Sequence, residues 1–114
     1  MANTFKLKTR AGIDTSLATV YTVPASKTTV IIGLTLTNIK GASITASVQI
    51  SSNTVDVETN VDVYVIKDIP IPSGSSVEVM AGNKIVLQTT DILKVSTSVT
   101  DGVDAVLSIM ESDV

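Results

Sequence analysis

The sequence predicts an all-β fold, an antiparallel β-sandwich, on three observations. Apolar and polar residues alternate with a period of two in segment after segment, as in strands with one buried face. Turn residues interrupt those segments about every ten positions, the rhythm of a sandwich rather than of βαβ units. Val, Ile and Thr dominate, Phe, Tyr and Trp together make 3%, and no segment carries the helical period. The expected architecture is eight or nine short strands, roughly ten residues apart, in jelly-roll or another Greek-key order. A length of 114 residues suits one domain over 1–114, with residues 1–10 an arm or an edge strand.

The first strand is Phe5 to Arg10, where Phe5 and Leu7 point one way and Lys6, Lys8 and Arg10 the other. Lysines on an edge deter pairing with other chains; the same strip also reads as a basic docking surface for an acidic partner. Gly12 and Asp14 mark a connection to a strand over Leu17 to Val23, held extended by Pro24. The central strand opens at Thr28 and ends at Asn38. Val30, Ile32, Leu34 and Leu36 share one parity, Thr29, Gly33, Thr35 and Thr37 the other, and Gly33 signals a bulge or a close backbone approach.

The stretch NIKGA, 38–42, reads as a hairpin turn with Gly41 at positive φ, pairing the central strand with Ser43–Ser51. There Ile44, Ala46, Val48 and Ile50 are expected inside. From Thr54 to Ile66 valines alternate with Asp56, Glu58, Asn60, Asp62 and Tyr64, a solvated acidic face. Pro70 and Pro72 place KDIPIP, 67–72, at an edge or between sheets. A short strand or helical turn at Val77 to Met80 precedes strands at Lys84 to Gln88 and Ile92 to Val99. Asp101-Gly102 signals a hairpin into Val103–Met110, whose Val103, Ala105, Leu107 and Ile109 share one parity.

Composition bears on chemistry. With no Cys, disulfides and thiolate metal sites are excluded. With no His, the commonest general base and zinc ligand are missing too. The acidic strand face lacks the tight Gly turn of a calcium loop, and its carboxylates lack the apolar pocket that a general acid needs. Ser73-Gly74-Ser75-Ser76 is a turn without a phosphate-binding lysine. No enzymatic activity and no cofactor are expected. A net charge of −3 argues against nucleic acid, which needs clustered Lys and Arg. No apolar run approaches the ~20 residues of a membrane-spanning helix, and the start, MANTFKLKTR, lacks a signal-peptide apolar core. Synthesis in a cytoplasm is expected. Phe5, Lys6, Lys8, Arg10 and Tyr64 are the candidate interface residues, Tyr64 as the exposed tyrosine.

Two groups of residues carry a resemblance. The first is Tyr21-Thr22-Val23-Pro24-Ala25, then Lys27-Thr28-Thr29 and a strand ending at Asn38. The second is Ile71-Pro72-Ser73-Gly74, Gly82-Asn83-Lys84-Ile85-Val86-Leu87, Asp91-Ile92-Leu93-Lys94-Val95 and Leu107-Ser108-Ile109-Met110-Glu111. In this order they resemble small all-β virion structural proteins of tailed bacteriophages, particularly of marine and cyanobacterial phages. The resemblance implies a capsid decoration (cement) protein or a small neck, tail or fibre component, the latter including receptor or glycan binding. It implies the major capsid protein or another virion protein as partner, a homo-oligomer with a trimer suited to local threefold positions, and location in the virion after synthesis in the host. It implies no catalytic residue.

Overall fold

Strands with one apolar face are stable only when two such faces close on each other. The computed structural model describes residues 3–52 and 62–113, and their regular structure is entirely strand. The nine described strands are β1 Asn3–Ile13, β2 Ala18–Thr22, β3 Lys27–Asn38, β4 Ile44–Ser51, β5 Val63–Ile71, β6 Ser76–Glu78, β7 Ile85–Leu87, β8 Ile92–Thr97 and β9 Val103–Asp113. One sheet runs β1-β9-β3-β6, with β7 also paired to β3; the other runs β2-β8-β4-β5. All pairings are antiparallel.

The pairings nest. β4 pairs with β5, β3 with β6 and β7, β2 with β8, and β1 with β9. The chain is therefore one long hairpin rolled up with alternate layers in alternate sheets, which is jelly-roll order. Between the sheets Ile31, Leu34, Leu36, Val48, Leu93, Val95, Leu107 and Ile109 are fully buried. Each such side chain stabilises the fold by ~1.5–3 kcal/mol.

The period of two placed most side chains correctly. Ile44, Ala46 and Val48 of β4, Leu93 and Val95 of β8, and Val103, Ala105, Leu107 and Ile109 of β9 all lie in the core. β3 breaks the expected parity. Its register with β9 runs Ile31↔Ile109, then Gly33↔Ser108, so Ile32 is an extra residue. This bulge switches faces: Thr29 and Ile31 are buried before it, Leu34 and Leu36 after it, and Ile32 is exposed. Val30, expected inside with Ile32, therefore faces outward. Glu78 fastens the irregularity: Oε1 accepts from Leu34 N at 3.0 Å and Met80 N at 3.1 Å, and Oε2 from Thr35 Oγ1 at 3.0 Å.

Two expected hairpins are crossings between sheets. β3 does not pair with β4. Buried Asn38 carries the chain across, donating from Nδ2 to the Ala42 and Ile71 carbonyls at 2.8 and 3.0 Å and accepting from Lys40 N at 2.7 Å. Gly41 is not at positive φ. β8 and β9 likewise lie in different sheets. Asp101 is at φ 51° and Gly102 is not in that region, so the two-residue primed turn that a hairpin uses does not form. Gly102 is needed instead for a close approach, since a Cβ there would stand 2.5 Å from Thr97 Oγ1 and 3.1 Å from the Val99 carbonyl oxygen. KDIPIP ends β5, an edge strand, as its prolines require. Of the acidic stretch, Thr54 to Val61, with Asp56, Glu58 and Asn60, lies outside the described residues.

Candidate functional site

β1 is an edge strand along nearly its whole length, and its two sides differ in what they meet. From Asn3 to Ala11 no residue is fully buried. Lys6 and Lys8 lie opposite the inward residues Ile109 and Leu107 of β9, so their side chains reach toward the seam between the two sheets. Lys6 Nζ lies 2.8 Å from Glu111 Oε1, and the Glu111 side chain is 2% exposed. Glu111 Oε2 accepts from the Tyr21 hydroxyl at 2.5 Å, and that hydroxyl shares a 2.8 Å hydrogen bond with Thr29 Oγ1. The Lys8 ammonium stands 6.0 Å from the Tyr21 ring centroid, at the outer limit of a cation–π contact. Arg10 Nη1 donates to the Thr19 carbonyl at 3.0 Å.

The electrostatics follow from this packing. Hydrogen bonding from Lys6, then from Tyr21, holds Glu111 below the ordinary carboxylate range. Burial, reinforced by the neighbouring Glu111 carboxylate, pushes the Tyr21 hydroxyl up to about 12. Glu111 is thus a fixed anion and Tyr21 a fixed donor. The cluster ties β1 and β9 to β2 and β3.

Of the five sequence-derived interface residues, Lys6 is paired with Glu111 of β9, while Lys8 and Arg10 meet Tyr21 and Thr19 of β2. Phe5 projects from the opposite side of β1 and is 72% exposed, with Leu7 at 65% beside it. Tyr64 is 47% exposed on β5, an edge of the other sheet, with the Lys67 ammonium 5.1 Å from its ring. Four of the five share β1; Tyr64 stands apart from them.

The sequence reading missed Glu111, although it continues the inward parity of Val103, Ala105, Leu107 and Ile109. Asp62 lies 3.8 Å from Lys94. Among the described residues no cluster of three or more His, Cys, Asp or Glu could hold a metal ion. A groove of about 340 Å³ is lined by Val65, Ile66, Val79, Met80, Asn83 and Ile85, an apolar set with one amide.

No protein-family model matches the sequence, and no curated protein sequence matches it. Solved structures do match the fold. A chain of the Bacillus endospore appendages, which form disulfide-linked pili, superposes with TM-score 0.54 at 12% identity, covering 99% of this chain and 88% of that one. A chain of the T13 infectious bursal disease virus particle gives TM-score 0.56 at 12% identity, covering 96% of this chain and 30% of that one. A chain of the Gx strain of that virus gives 0.50 at 13%, covering 97% and 33%. This chain therefore spans about a third of the virus chains. At identities this low the superpositions establish a shared fold alone.

Proposed function

We propose that this protein is a non-enzymatic structural subunit of a tailed-phage virion, a decoration protein that binds the head shell and stabilises it. The observation that carries the reading is the jelly roll itself, which superposes over nearly its whole length on part of a chain that builds a virus particle. The absent Cys and His agree with a protein that works by contact. So does the tyrosine–carboxylate cluster, whose groups are committed to holding strands together. On a shell many modest contacts act together, so weak individual sites suffice. The partner in this reading is the major capsid protein, and the free edge of β1 is the surface offered to it, since an exposed edge accepts a further strand.

The endospore-appendage likeness supports a second reading, a small tail, neck or fibre component, because it covers nearly all of both chains. Any filament of this protein is held without disulfides, since the sequence has no Cys.

Size-exclusion chromatography with light scattering, run with and without emptied, expanded heads of the phage that encodes the chain, separates these readings. Decoration predicts saturable co-elution with heads. Co-purification with tails and indifference to heads would replace it with the second reading, and binding to neither would overturn both.

A further inference from the structure

β1 is held differently from the other strands. Each of the others sends at least one apolar side chain into the core or against it, even the short and edge strands: Tyr21 of β2, Ile71 of β5, Val77 of β6 and Leu87 of β7. From Asn3 to Gly12 no residue of β1 does so. Its two large apolar side chains, Phe5 and Leu7, are mostly exposed. This stretch is held by its ladder to β9 and by a few polar contacts. Two of these lie at the surface: Ser112 Oγ to Asn3 Oδ1 at 2.7 Å, and Arg10 Nη1 to the Thr19 carbonyl at 3.0 Å. One reaches a buried side chain, the 2.8 Å pair of Lys6 with Glu111.

Past Gly12 the chain is fastened again. Gly12 is at φ 61°, and the register with β9 shifts between Arg10 and Ile13. Ile13 is in the core, 1% exposed, and its carbonyl accepts from Gly102 N at 2.8 Å. A loosely held strand therefore meets a firmly held one at a glycine, the residue whose backbone turns most freely.

We infer that Asn3–Ala11 is a strap that opens as one unit about Gly12, with the Lys6–Glu111 pair as its latch, while the other eight described strands stay closed. Opening takes no apolar side chain out of the core, so it is far easier than unfolding. The position of the latch makes the unit. Fraying from Asn3 stops at Lys6, but once Lys6 lets go, Leu7 to Ala11 have no buried side chain to hold them. Opening also changes the edge that the sheet presents. Closed, the edge is β1 with its lysines; open, it is β9, which can then accept another strand. The inference does not depend on where in a virion the chain sits.

Native-state amide hydrogen exchange of the full chain at pH 7, followed residue by residue by NMR, tests it. The β1 amides bonded to β9 are expected to exchange as a set, about a hundredfold faster than the core amides of β3 and β8. Along β9 the amides bonded to β1 join that set, and the alternate ones bonded to β3 do not. Ile44→Val, in the core of the other sheet, speeds the core amides about threefold and leaves the β1 set unchanged. Lys6→Ala speeds the whole β1 set by one common factor of about ten. β1 amides that match the core amides, and follow them in Ile44→Val, would overturn the inference, because β1 then opens only with the whole fold. Protection that fades smoothly toward Asn3 would overturn it too, in favour of fraying. A β1 set indifferent to Lys6→Ala would remove the latch and the inference with it.

Discussion

Glu111 and Tyr21 show how much one pair of side chains decides. The carboxylate is buried, yet stays ionised because Lys6 and Tyr21 both donate to it. Its folded-state pKa lies below the ordinary 4.5. As pH falls through that window the unfolded chain takes up the proton first, so the stability Glu111 contributes is complete above about 4.5 and lost toward acid. Tyr21 has the opposite sign. Its folded pKa is raised from 10.0 to about 12, so its contribution is complete below 10.0 and lost as pH rises toward 12. Denaturant melts from pH 2.5 to 12 are expected to show both limbs. Glu111→Gln flattens the acid limb and Tyr21→Phe the alkaline one, each variant costing about 1–3 kcal/mol at pH 7. Equal acid limbs in wild type and Glu111→Gln would remove this residue from the account.

At the scale of elements, the connections rather than the strands decide the topology. Gly102 sits where β8 leaves one sheet for the other, and a Cβ there would meet Thr97 Oγ1 and the Val99 carbonyl. Gly102→Ala is expected to cost about 1–3 kcal/mol through overpacking, read as a lower denaturation midpoint at unchanged m-value. The strands themselves were legible, because a sheet with one buried face writes its period of two into sequence: the inward sets of β4, β8 and β9 follow from alternation alone. The partners of those strands were not legible. Asn38–Ala42 and Asp101-Gly102 have hairpin chemistry, yet turn residues only let the chain reverse; whether it returns in the same sheet depends on which apolar face it must cover. The bulge at Ile32 was signalled by Gly33, but its consequence, the turning outward of Val30, needs the register with β9. Likewise Phe5 was legible as one residue, whereas its alignment with Met110, Val30 and Val86 appears only once four strands are in register.

At the scale of the molecule, the rolled hairpin leaves β1 as the edge strand of its sheet, and under the proposed function that edge is the surface offered to the shell. Under the proposed function the protein is a structural part of the head. Electron cryo-microscopy of the virion that encodes it tests this most directly. The proposed function predicts jelly-roll density seated on the capsid subunits, at regular positions over the shell. Density for the chain in the tail or neck, with bare capsid subunits, would contradict it.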